Sequence, residues 1–130
     1  IKLRYLDEYA AARQTAAAHY DKALKNLKQL QVPERQPNST HVFHQYTLQV
    51  KDGQRDALQN YLKDRGIPTM IYYPVPLYEQ EAFKNTNENQ VKFLPVTDQL
   101  CKSVISLPIH TELDQNTLDY ITQTIISFFE

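Results

Sequence analysis

Over the first 31 residues no proline or glycine occurs, and Leu6, Ala10, Ala17, Tyr20, Leu24 and Leu27 recur at steps of four, seven, three, four and three. Residues so spaced share one face of an α-helix, which predicts a long amphipathic helix over 1–31. Arg13 interrupts the stripe and alanines thin it, as expected where another helix or domain approaches closely. Pro33 stops the pattern, and "VPERQPNST" reads as a loop. In "HVFHQYTLQV" the period changes to two: Val42, His44, Tyr46, Leu48 and Val50 share one face of a predicted strand, and Phe43, Gln45, Thr47 and Gln49 share the other. Asp52 is placed to cap a helix whose inner stripe is Ala57, Leu58, Tyr61 and Leu62, with Gly66 as its C′ residue. A second strand is expected at about Pro68–Tyr73, ended by Pro74 and Pro76.

The polar run "KNTNENQ" has the composition of an exposed loop. "LPVTDQLCKS" predicts a short helix, and "VISLPI" a brief apolar strand at the centre of the sheet. Asp114 should cap a last helix with Leu118, Ile121, Ile125 and Phe128 inward. The order is α-β-α-β-α-β-α. Three strands cannot build a large parallel sheet, so the expected fold is an α/β two-layer sandwich: a small, mainly antiparallel three-stranded sheet covered by helices.

At 130 residues the chain is read as one domain, residues 1–130. Its net charge of −1 gives no footprint for a nucleic acid. No apolar run approaches the ~18 residues of a membrane span, so neither nucleic acid nor membrane is expected as a partner. Cys101 is the only cysteine, which suits a reducing, cytoplasmic location and a structural role. With glycine only at 53 and 66, there is no glycine-rich loop to close around a phosphate. His41 and His44, three apart on a strand, should face opposite ways and share no metal, with His44 at the core edge, hydrogen-bonded through one ring nitrogen. Ser39, Ser103, Ser106 and Ser127 show no nucleophile elbow. The pattern opens on Ile1 without an N-cap, as expected of a segment of a longer protein.

Tyr72 and Tyr73 stand side by side where the prolines stop the strand, and alternation forbids both from joining one core. Either one is buried while the other covers the sheet edge, or the outward phenol hydrogen-bonds a ligand. The residues alone leave both open.

"HVFHQYTLQV", then "RDALQNYLKDRGIPTMIYYPVPLYEQEAF", then "LPVTDQLCKSVISLPIHTEL" resemble the C-terminal part of the DegT/StrS-type nucleotide-sugar aminotransferases, over nearly the whole chain. The resemblance implies a pyridoxal-phosphate enzyme of the aspartate-aminotransferase fold, usually homodimeric. Such enzymes move an amino group from an amino acid, typically glutamate, to a keto-sugar nucleotide for polysaccharide or antibiotic sugars. It also implies that the lysine and aspartate holding the cofactor lie upstream on a large domain. Residues 1–130 would then be the small domain, inactive alone, with helix 1–31 joining it to the large one. Tyr72 and Tyr73 are the implied substrate-binding positions. Gln49 and Tyr78 depart from the family's frequent Arg and His, which leaves the sugar unspecified, and dehydratase relatives use the same fold. The rival reading is a stand-alone interaction module without catalytic activity, its tyrosines anchoring a protein partner.

Overall fold

A computed structural model of the chain describes residues 1–83 and 94–130; the polar run 84–90 lies outside the described residues. The first helix is shorter than the periodicity predicts. A 3₁₀ turn at Lys2–Tyr5 leads into α1 (Leu6–Leu24), and the chain then turns into a two-residue strand, β1 (Leu30–Gln31). No glycine or proline marks that exit. Pairing with β2 (Tyr46–Val50), Leu30 opposite Val50 and Gln31 opposite Gln49, outweighs helical propensity there.

β2 also begins later than expected. Phe43 has a positive φ of 47°, which breaks the two-residue period, so Phe43 is buried while Val42 and His44 are exposed. From Tyr46 on the predicted alternation holds, with Tyr46, Leu48 and Val50 buried. Asp52 does not cap α2 (Arg55–Lys63). It and Gly53 both take positive φ, in a tight turn closed by Gln54 N–H donating to Lys51 O, and Gln54 precedes the helix without a side-chain cap. Ala57 is exposed and Arg55 is buried in its stead. Arg55 Nη1 donates to the carbonyls of Cys101 and Val104, satisfying the junction between α3 (Pro95–Ser103) and β3 (Val104–Leu107).

α2 ends as predicted. Gly66 (φ 72°) donates to Lys63 O and Ile67 to Leu62 O, the paired bonds of a Schellman motif. Space for a Cβ at Gly66 is open. Gly66→Ala therefore pays only for left-handed backbone, and urea unfolding should show a loss of roughly 1–2 kcal/mol.

The expected strand at 68–73 reduces to one bridging residue, Met70, which exchanges both backbone hydrogen bonds with Ser106. The sheet order is β1-β2-β3, with β2 antiparallel to both neighbours. β2 is thus the central strand, and β3 lies between β2 and the Met70 bridge. Asp114 caps α4 (Gln115–Phe129) by accepting from Thr117 N–H, a bond that holds its carboxyl below the usual carboxylate range. The core joins Ala16, Ala17, Tyr20 and Leu24 of α1, Leu58 and Leu62 of α2 and Leu118, Ile121 and Ile125 of α4 to the apolar face of the sheet. Small alanines let α1 lie close to α4. The architecture is the expected α/β two-layer one, with helices covering a three-stranded antiparallel sheet.

Candidate functional site

β3 ends at Leu107 because Pro108 has no N–H to continue a ladder. Two neighbours flank it there: β2, which starts at Tyr46 opposite Leu107, and Met70, bonded to Ser106. Beyond these pairs neither flank follows β3. Residues 44–45 and 68–72 stand apart, and a cleft of about 240 Å³ opens over Leu107, Pro108 and Ile109. Its polar side chains are His44, Gln45, Thr69 and Tyr72, with Ser106 tied to Thr47 at 2.8 Å between hydroxyls. None of its lining residues is Asp, Glu, Lys or Arg.

Its floor is fixed from below. Tyr20 Oη donates to Pro108 O at 2.8 Å from a buried ring. The wall carrying His44 and Gln45 is fixed from behind. Asp21 of α1 accepts from Tyr46 Oη at 2.6 Å and from Arg35 Nε at 2.9 Å, and the Arg35 guanidinium lies 4.1 Å from the centre of the Phe43 ring. His41 also packs on that ring, 4.3 Å between ring centroids, and its Nδ1 accepts from Phe43 N–H. This clamp stabilises the positive φ at Phe43, and the turn delivers His44 and Gln45 to the cleft.

Tyr72 lines the cleft and is 50% exposed; Tyr73 is 74% exposed and does not line it. Both face outward because the segment is not a strand, so alternation does not apply. Neither hydroxyl has a hydrogen bond among the described residues. His44 is exposed, with no hydrogen bond among the described residues, in place of the expected core-edge position. His41 and His44 are not on a strand and both border one shallow hollow, but the Nδ1 of His41 is committed to Phe43. Among the described residues no three His, Cys, Asp or Glu gather as a metal set. Cys101 is buried on α3 as expected. Tyr78 donates to Asp98 Oδ1, a bond that pushes its phenol up to about 12, and neither it nor Gln49 lines the cleft. Sequence reasoning missed Gln45 and Thr69 and misplaced His44. The available signal was Phe43, an aromatic that the two-residue period placed among Gln45, Thr47 and Gln49.

Residues 1–126 match the DegT/DnrJ/EryC1/StrS aminotransferase family. The chain belongs to that family. Among its relatives, the UDP-2-acetamido-2-deoxy-3-oxo-D-glucuronate aminotransferase of Pseudomonas aeruginosa is 36% identical over 120 residues, covering 92% of this chain and 32% of the relative. The dTDP-3-amino-3,6-dideoxy-alpha-D-galactopyranose transaminase of Aneurinibacillus thermoaerophilus is 32% identical over 125 residues, covering 96% and 33%. The crystal structure of a DegT DnrJ EryC1 StrS aminotransferase from Brucella abortus superposes with a TM-score of 0.87 at 34% identity, covering 98% of this chain and 33% of that one. The chain spans about a third of the length of the curated relatives it matches. Among the described residues no helix is long and apolar enough to cross a membrane.

Pyridoxal phosphate, which the family implies, needs a lysine for its aldehyde and a cradle of donors for its phosphate. The described lysines are all exposed and none lines the Tyr72 cleft. The residues of this cleft do not fit the cofactor.

Proposed function

We propose that this chain is the C-terminal, smaller domain of a pyridoxal-phosphate-dependent aminotransferase, cytoplasmic and homodimeric, that moves an amino group from glutamate to a keto-sugar nucleotide. The observation that carries the reading is the family match across residues 1–126, with relatives whose names specify sugar nucleotides. The cofactor and its lysine belong to the remainder of the protein, so this chain alone is inactive. Its own contribution is shape and hydrogen bonds at the edge of the site, from Tyr72 and Tyr73. The exposed Leu3, Tyr5, Leu6 and Tyr9 at the start of α1 support an approach of the remaining chain there.

The test is amino transfer by the full-length protein from glutamate to a panel of 3-keto and 4-keto UDP- and dTDP-sugars. Product by mass spectrometry is expected with at least one; none with any, from folded and cofactor-loaded protein, overturns the reading. Within that assay Tyr73→Phe removes one donor, a bond of about 0.5–1.5 kcal/mol net, and should lower kcat/KM for the keto-sugar roughly 2–10-fold. Cofactor amination by glutamate should be nearly unchanged, because the donor reacts before the sugar arrives. Single-turnover rates separate the two half-reactions: equal losses in both would make Tyr73 a structural residue.

A further inference from the structure

We propose that Tyr78, through its hydrogen bond to Asp98, is the positioning residue for Tyr72 and Tyr73: it ties down the far end of the segment that carries them, so that their phenols are in place before the keto-sugar arrives. This rests on the sugar-aminotransferase reading above and goes beyond it by giving a role to a residue that does not itself touch the substrate.

The two tyrosines lack support of their own. Tyr72, Tyr73, Val75 and Leu77 are exposed, and among the described residues the segment pairs with the sheet only at Met70. Backbone with so few buried contacts samples many conformations, and a phenol that has to be ordered on binding loses part of its hydrogen bond to that cost. Among the described residues, those from 71 to 80 have a single side-chain hydrogen bond, donated by Tyr78 to Asp98 Oδ1, and Pro76 alone is buried.

The backbone between is stiff enough to carry that restraint. Pro74 and Pro76 have φ fixed by their rings, and Tyr73 and Val75, each before a proline, are held out of the helical region. Pro76 has φ −55° and ψ 144°, the values of a polyproline II strut. From Tyr73 to Pro76 every residue is thus restricted, and the 3₁₀ turn Leu77–Glu79 that follows carries Tyr78. The chain is pinned at Met70, where both backbone bonds go to Ser106, and again at Tyr78, so Tyr72 and Tyr73 lie on a short bridge between two fixed points.

The anchor is itself fixed. Asp98 lies in the first turn of α3, where its N–H donates to Leu94 O, and Arg55 holds the other end of that helix through the carbonyls of Cys101 and Val104. Its carboxylate makes the bond from Tyr78 charge-assisted. Neither Tyr78 nor Asp98 lines the cleft that Tyr72 borders, and the pair works through the segment between.

The experiment is made on the full-length, cofactor-loaded protein with Tyr78→Phe, which keeps the ring and removes the donor, and with Asp98→Ala, which removes the acceptor. Glu-specific proteolysis followed by mass spectrometry reads the tie directly. Cleavage after Glu79 should quicken roughly 2–10-fold in either variant and no further in the two combined, with the melting temperature unchanged. In the amino-transfer assay each variant should lower kcat/KM for the keto-sugar roughly 2–10-fold and leave cofactor amination by glutamate unchanged. In a Tyr72→Phe, Tyr73→Phe background Tyr78→Phe should lower kcat/KM no further, because the phenols it places are gone. Unchanged cleavage, a lowered melting temperature, equal losses in both half-reactions, or a full loss added to that of the Tyr72→Phe, Tyr73→Phe background each overturns the role of Tyr78. Absence of amino transfer by wild type falls on the sugar-aminotransferase reading and takes the role with it, whereas amino transfer with an additive loss sinks the role of Tyr78 alone.

Discussion

Tyr20→Ala should destabilise the chain by about 3–5 kcal/mol, the range for emptying a fully buried aromatic site. Tyr20 is 0% exposed, packs at 5.0 Å between ring centroids on Tyr46, and gives its hydroxyl to Pro108 O. The alanine variant therefore loses core volume and frees the floor of the cleft together. Tyr20→Phe should cost only about 0.5–1.5 kcal/mol, the net worth of one hydrogen bond. The same pair of variants reports on pH. Burial holds the Tyr20 phenol protonated well above its ordinary value of 10.0, and burial, then the bond to Asp21, does the same for Tyr46. With the folded pKa above the unfolded one, this contribution is complete below the unfolded value and is lost as pH rises beyond it. Urea midpoints from about pH 8 to 11 should fall in wild type and fall less steeply in Tyr20→Phe. Parallel slopes in the two proteins would mean that Tyr20 ionises freely.

Asp21→Ala is expected to cost about 2–3 kcal/mol, because it strands the buried hydroxyl of Tyr46 and releases Arg35 from the Phe43 ring. Chemical denaturation measures the loss. Tyr46→Phe in the Asp21→Ala background should recover part of it, since no phenol is then left without an acceptor, and a double-mutant cycle gives the coupling. Independent, additive effects of the two substitutions would show that the bond contributes little.

These two sites mark where local pattern stops carrying information. α3 and α4 were readable because their own sequences hold the determinants: Pro95 at the first turn of α3, Asp114 before α4, and apolar steps of three and four in α4. The C-terminus of α2 was readable from Gly66. The end of α1 at Leu24 was not, since Leu30 leaves the helix for a partner 20 residues away, Val50. The turn at Phe43 was equally hidden, being held by Asp21 and Arg35 of other segments. Asp52 misled because a residue that can cap a helix can also occupy a left-handed turn, and Gly53 beside it favours the turn. The outward placement of both Tyr72 and Tyr73 was not readable, because the strand expected at 68–73 pairs only at Met70 and alternation lapses after it. Nor was the cleft beside Tyr72, because its other wall comes from residues 44–45, which local periodicity assigned to a strand.

The β2–β3 pairing also constrains the order of events during synthesis. Thr47 meets Ser106 across a separation of 59 residues, and Tyr20 reaches Pro108 across 88. Until β3 and α4 have left the ribosome, the buried faces of α1 and β2 have no lid, and the hairpin-like β1–β2 pair is all the sheet that can form. At about 5–20 residues per second that interval lasts seconds. Long-range closure of this kind is slow. The β3 side of β2 and the apolar face of α1 should therefore be open to holding factors until β3 and α4 have been made.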